Sequence, residues 1–255
     1  SGMAFNANEA NPGSLPTIYT HPNFWIDNIV VDRPTAPIFG AVGLIRIGCM
    51  MSLPGGTYGK VGTVVVRDAM IPDFHNVGAG YVEVFGQTSV ENIIIDQPSL
   101  PKNKPSQTGQ PLISVSLASR VRSIVINNAV GKHTGYLANL AGIVDTFTMN
   151  GGYIDASDDT PLWMVRVLAN SAVKDIVLNN VTTKGFAAVV GIADGPYYGR
   201  TTVTFNGVKG DHRCYLYCQQ PARAFFDRCY ASNLENGYVI AAGAAANALV
   251  FNAGT

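Results

Sequence analysis

Val121-Arg122-Ser123-Ile124-Val125-Ile126-Asn127-Asn128 decides the fold of this chain. It is a short β-branched run that stops on asparagine, and β-branched residues suit a pleated strand. The pattern is a polar or small residue, three mostly apolar residues, then usually Asn or Asp. Toward the N-terminus it recurs as Asn92-Ile93-Ile94-Ile95-Asp96, Thr63-Val64-Val65-Val66-Arg67 and Asn28-Ile29-Val30-Val31-Asp32. Toward the C-terminus it recurs as Thr146-Phe147-Thr148-Met149-Asn150, Asp175-Ile176-Val177-Leu178-Asn179 and Thr202-Val203-Thr204-Phe205-Asn206. Arg223-Ala224-Phe225-Phe226-Asp227 and Ala248-Leu249-Val250-Phe251-Asn252 complete nine copies. Their first apolar positions are separated by 35, 29, 31, 23, 29, 27, 21 and 25 residues. A constant strand with a variable interval is the mark of a solenoid whose loops change length from coil to coil. Nine coils stacked at about 4.8 Å make a stack roughly 38 Å long.

A second strand recurs in each interval. It reads Leu44-Ile45-Arg46-Ile47, then Tyr81–Phe85, Pro111–Leu117, Gly135–Leu140 and Leu162–Val167. It returns as Phe186–Val190, Cys214–Cys218 and Gly237–Ile240. Parallel strands covered by neighbours read as continuous apolar runs, and most of these do. No stretch carries a convincing helical period. The fold expected is therefore all-β, a parallel β-helix of about nine coils. The left-handed hexapeptide type is disfavoured, because its coils keep a near-constant length.

The residue closing each core strand is Asp32, Arg67, Asp96, Asn127, Asn150, Asn179, Asn206, Asp227 and Asn252. Asn and Asp tolerate the left-handed backbone of a turn. Stacked asparagines can also link side chain to side chain along the axis, as amide ladders do. These residues are read as structural. Residues 1–23, with Asn6, Asn8, Asn11, Pro12, Gly13, Pro16 and Pro22, are expected to cap the first coil, with the β-helix domain over 24–255. Ser1-Gly2-Met3 reads as a tag remnant, and no signal peptide is visible.

Seventeen basic and seventeen acidic residues cancel, which gives no basic stripe for nucleic acid. No apolar run is long enough for a transmembrane helix. Charged residues are only 13% of the chain and hydrophobic residues 47%, a balance that points to an oligomer. The four cysteines, Cys49, Cys214, Cys218 and Cys229, lack the spacing of a zinc site and read as free thiols. Neither metal nor cofactor is expected.

This arrangement resembles the right-handed parallel β-helix of the pectate-lyase-like superfamily, and within it the β-helices of bacteriophage tailspikes. The resemblance covers essentially the whole chain as architecture. It implies a homotrimer on the virion tail that binds bacterial surface polysaccharide and, where it is an enzyme, cleaves it as a hydrolase or lyase. A secreted pectinase-like enzyme and a non-enzymatic structural or adhesin β-helix are the competing readings.

Loops that follow the Asn turn should stack at one edge of the coils. That edge carries Lys132 and His133, then Asp155, Asp158 and Asp159, then Lys184, then Asp211, His212 and Arg213, then Glu235. Tyr153, Trp163, Tyr215, Tyr230 and Tyr238 lie nearby in sequence. Glycoside hydrolysis uses two carboxylates, and Asp158 or Asp159 with Asp211 would be a pair two coils apart. Elimination would need a base such as His212 or Lys184, with Arg213 neutralising a uronate. Asp158, Asp159, Asp211 and His212 are thus the catalytic candidates. Lys132, His133, Lys184, Arg213, Glu235, Tyr197, Tyr198 and Trp163 are the substrate-binding candidates. Each has a plain structural reading too: Asp158-Asp159 as a turn, Asp211-His212-Arg213 as a loop tip, Trp163 as core.

The middle residue of each core strand points away from its two apolar neighbours. Val30, Val65, Ile94, Val125, Thr148, Val177, Thr204, Phe225 and Val250 should therefore form a stripe along the outside. An exposed apolar stripe is expected to be an interaction surface, and a closed assembly would bury it.

Overall fold

A computed structural model describes residues 17–21, 23, 25–34, 44–49, 57–71, 80–100, 111–132, 135–157, 163–194, 201–234, 239–242 and 248–252. Among these residues all regular structure is β-strand. The strands form three parallel sheets of nine, nine and five strands. One coil shows the path. Arg120–Asn127 lies in a long-strand sheet, Val130–Lys132 in a short-strand sheet and Ala138–Leu140 in a second sheet. Ile143–Asn150 then re-enters the long-strand sheet beside Arg120–Asn127. The chain is a three-sided parallel β-solenoid, and each residue pairs with its counterpart one coil away.

Register in the long-strand sheet follows the repeat. Ile29, Val64, Ile93, Ile124, Phe147, Ile176, Val203 and Ala224 are lateral partners in turn. All are buried, most of them completely. The residues two further on, among them Val66, Ile95, Ile126, Met149 and Leu178, are buried with them. Full burial of each such side chain stabilises by about 1.5–3 kcal/mol, so the stacked columns are the main driving force. The middle residues from Val65 to Phe225 are half-buried, and Val30 is 41% exposed, so the outer stripe lies where alternation puts it.

The ninth copy departs from the expected alignment. Ala224 pairs with Val250 and Phe226 with Asn252, a slip of one residue. Val250 thus takes the register of Ala224, and Asn252 that of Phe226 instead of Asp227. The cause lies in Ala248-Leu249-Val250-Phe251, which is apolar at every position. A one-residue slip exchanges the two faces, and here alternation cannot choose between registers.

The turn after the core strand also differs from expectation. Asn127, Asn150 and Asn179 stay in the strand, and the left-handed residue is the next one, with φ of 52° at Asn128, 66° at Gly151 and 54° at Asn180. Arg33, Asp68, Gln97, Gly207 and Arg228 take the same conformation in their coils. From Arg33 to Gly207 the amide of the turn residue donates to the closing residue of the next coil, as Asn128 does to the Asn150 carbonyl at 2.8 Å. The strand-end side chains are committed elsewhere. Asn150 Nδ2 donates to Asn127 Oδ1 at 3.0 Å, Asn179 to Asn150 at 2.8 Å, and Asn206 to Asn179 at 2.8 Å. This is the expected amide ladder, four residues long.

Two further features were not expected from sequence. The short-strand sheet falls where variable loops were anticipated, because strands of two or three residues carry no detectable period. Thr17–Tyr19, in the segment read as a loop-like cap, adds an edge strand beside Ile45–Cys49. None of the four cysteines is joined in a disulfide.

Candidate functional site

The left-handed turn delivers the chain directly into the short-strand sheet, which makes this sheet the anchor of everything that follows the Asn ladder. Its strands are Val130–Lys132, Tyr153–Asp155, Thr182–Lys184, Lys209–Gly210 and Tyr230–Ala231. Ile154 and Thr183 are buried at the middle of their strands; of the residues on either side Tyr153 and Lys184 are exposed, while Asp155 is itself buried, at 7%. The first outward column runs Val130, Tyr153, Thr182, Lys209, Tyr230, with Tyr153 40% and Tyr230 65% exposed. Three strand spacings separate the two tyrosines, about 14 Å along the axis.

The second column pairs Lys132 with Asp155 and Asp155 with Lys184. Asp155 is its centre. The Asp155 carboxylate accepts from the Ser157 hydroxyl at 2.6 Å and the Ser157 amide at 2.9 Å. The Tyr153 hydroxyl donates to it at 3.3 Å, and Lys184 Nζ lies 3.7 Å away. Burial pushes the Asp155 carboxyl up, but the Ser157 bonds and the ammonium groups of Lys184 and Lys132 outweigh it and hold it below the usual carboxylate range. Asp155 is therefore ionised. Burial and the adjacent Asp155 charge raise the Tyr153 phenol above its ordinary value, so its proton stays available for donation.

Of the residues nominated from sequence, Lys132 and Lys184 are brought together here. Asp211 is one coil beyond Lys184, close enough for its charge to act on Tyr153. Its carboxylate accepts from the Gly185 amide at 2.6 Å, and Gly185 has φ of 75°, a turn that suits glycine. Arg213 is exposed, and its amide donates to the Phe186 carbonyl at 3.1 Å. Asp158, Asp159, His133, Glu235, Tyr197 and Tyr198 lie outside the described residues.

His212 is not on the surface. It is fully buried, with Nδ1 2.8 Å from Thr183 Oγ1, and its ring stands edge-on to Tyr215 at 4.2 Å. Tyr215 continues this aromatic core onto Phe205 and Phe226, themselves stacked at 5.0 Å. Among the described residues His212 Nε2 has no hydrogen-bond partner, and burial lowers the pKa to about 4. A base must reach the proton it removes. His212 faces the interior because Asp211 and Arg213 flank it outward, so it is a core residue and not the catalytic base expected from sequence.

Trp163 is half-buried on the outside of the second sheet. It lies across Gly191, where a side chain would collide with the indole, and stacks on Tyr217 at 5.2 Å. Tyr136 is 6.5 Å away on its other side, and the Arg166 guanidinium sits 4.5 Å over the Tyr136 ring. Neither the core reading nor a freestanding platform describes it; Trp163 is part of an aromatic ladder. Tyr136, Arg166, Gly191 and Tyr217 were missed from sequence, since their adjacency depends on coil register. The short-strand cluster did carry a signal: Lys132, Asp155, Lys184 and Asp211 each stand five residues after a ladder asparagine.

Among the described residues no group of three or more His, Cys, Asp or Glu is placed to hold a metal ion, and no helix is long and apolar enough to cross a membrane. Comparison of the chain with known protein families, with curated proteins and with solved structures found no match.

Proposed function

We propose that this chain is a right-handed parallel β-helix of the tailspike kind, whose short-strand face recognises bacterial surface polysaccharide outside the cell, on a virion tail. Connections between parallel strands of one sheet are overwhelmingly right-handed, which supports the hand. The observation that carries the function is the pair of exposed rings, Tyr153 and Tyr230, in one column beside the Lys132–Asp155–Lys184 row. Aromatic faces pack against the apolar faces of sugar rings, and the ammonium groups of Lys132 and Lys184 bond sugar hydroxyls in charge-assisted fashion, with the buried Asp155 carboxylate holding Lys184 in place. An extended glycan lying along the axis meets one such row.

Binding without cleavage is the reading favoured on this face. Hydrolysis needs a carboxylic acid that donates its proton to the leaving oxygen. Asp155 is held ionised, and His212 is sealed in the core. The test is incubation with capsular, O-antigen and pectic polysaccharides, with retention, reducing ends and ultraviolet absorbance followed together. Binding with neither new reducing ends nor an unsaturated product is the expected result. Tyr153→Ala and Lys184→Ala should each weaken that binding at least tenfold. Full retention of glycan by both variants removes this face from the function.

A further inference from the structure

Charge is distributed differently on two faces of this molecule. On the long-strand sheet both signs stand in solvent. Arg122, Asp145 and Lys174 are exposed on three successive coils, and Arg122 is ion-paired to Glu91 at 3.4 Å. On the short-strand sheet the signs are sorted by depth. Lys184 and Lys209 are exposed, whereas Asp155 is buried and Asp211 half-buried. Each of these carboxylates is also occupied. Asp155 accepts from Ser157 and Tyr153 and lies against Lys184, and Asp211 accepts from the Gly185 amide at 2.6 Å. A molecule resting on this face therefore meets ammonium groups, while both carboxylates are turned to the protein.

Lys184 is compensated by Asp155. Lys209 has no such neighbour: among the described residues its ammonium makes no ion pair or hydrogen bond. It was not nominated from sequence, yet it stands in the same outward column as the two exposed tyrosines. It is one coil from Tyr230 and two from Tyr153, about 5 Å and about 10 Å along the axis. A saccharide whose rings rest on both tyrosines passes over Thr182 and Lys209 between them. Covering Lys209 with a neutral sugar strips water from a charge and gives back only weak bonds. Covering it with an anionic substituent replaces that water with a charge-assisted hydrogen bond.

We propose that the glycan bound on the short-strand face is acidic, and that Lys209 reads its anionic group, a carboxylate or a phosphate, between the two tyrosine platforms. This rests on the reading of that face as a glycan site.

The probes are the capsular, O-antigen and pectic polysaccharides named above. Each acidic one is also used with its carboxylates reduced to alcohols, or with its phosphates removed, which leaves the sugar rings intact. Every polysaccharide retained should be acidic, and its neutral form should be held at least about tenfold more weakly. The two chemical treatments tell carboxylate from phosphate. Lys209→Ala should hold the acidic and neutral forms alike, and Lys209→Arg should keep the preference. Lys174→Ala removes the same charge from the long-strand sheet and should leave retention unchanged. Equal retention of an acidic polysaccharide and its neutral form overturns the acidic reading and leaves the glycan site standing. A preference that Lys209→Ala keeps in full overturns the role of Lys209. Retention of no polysaccharide at all defeats the glycan reading itself, and this proposal with it.

Discussion

The long-strand sheet and the short-strand sheet are built from the same coils but obey different constraints. In the long-strand sheet two side chains of every core strand from Ile29 to Phe205 point into a closed interior, and the column is filled by Ile, Val, Leu, Phe or Met. The short-strand sheet buries less: Ile154, Thr183 and the ion-paired Asp155 are covered, while Val130, Tyr153, Lys184, Lys209 and Tyr230 stay exposed. Repetition is compulsory where burial supplies the stability and optional where it does not. The short-strand sheet can therefore carry Lys, Asp and Tyr at equivalent positions without loss of fold.

Four experiments would break or sharpen that contrast. The largest effect is expected for Ile124→Asp, at the centre of the buried column. An unpaired charge there costs several kcal/mol, and circular dichroism should show loss of the cooperative transition. A folded variant with a normal melting curve would show that the column is not the source of stability.

Next is the buried histidine beneath the short-strand sheet. The His212 pKa is lowered to about 4 in the fold, against about 6.5 when unfolded. Because the unfolded chain binds the proton more tightly, this contribution is complete above pH 6.5 and is lost as pH falls from there toward 4. The loss amounts to roughly 3 kcal/mol. His212→Phe keeps a ring against Tyr215 and should flatten the fall in melting temperature between pH 7 and pH 4.5. Equal slopes for the two proteins would remove His212 from the acid sensitivity.

Asn179→Ala breaks the amide ladder where Asn179 donates to Asn150 and accepts from Asn206. Two lost bonds and two unpaired partners should destabilise by about 2 kcal/mol in urea unfolding. Val177→Thr, on the outer stripe two residues earlier, is the matched control and should change stability by less than about 0.5 kcal/mol. The smallest structural effect is expected for Lys184→Ala. Its ion pair with Asp155 is half solvated and is worth at most about 1 kcal/mol, while glycan retention should fall tenfold. A large loss of stability would make the cluster a structural device and not a binding one.

The sequence by itself determined the repeat, the parallel stacking, the inward and outward faces of the core strands and the asparagine ladder. Each rests on local alternation reinforced by a neighbouring coil of the same pattern, as Ile124 between Ile93 and Phe147 shows. It also pointed to Lys132, Lys184 and Asp211, because they follow the repeat at a fixed offset. Tertiary structure decided what alternation leaves open. It moved the left-handed turn one residue beyond Asn127, since that side chain is bound in the ladder. It slipped the ninth strand, whose Ala-Leu-Val-Phe run reads alike in both registers. It turned His212 inward between two outward charges. It also laid Trp163 over Gly191 against Tyr217, a contact between residues 54 positions apart that coil register alone brings together. Local pattern sets which way a side chain points, and only the stacked coil sets what it meets.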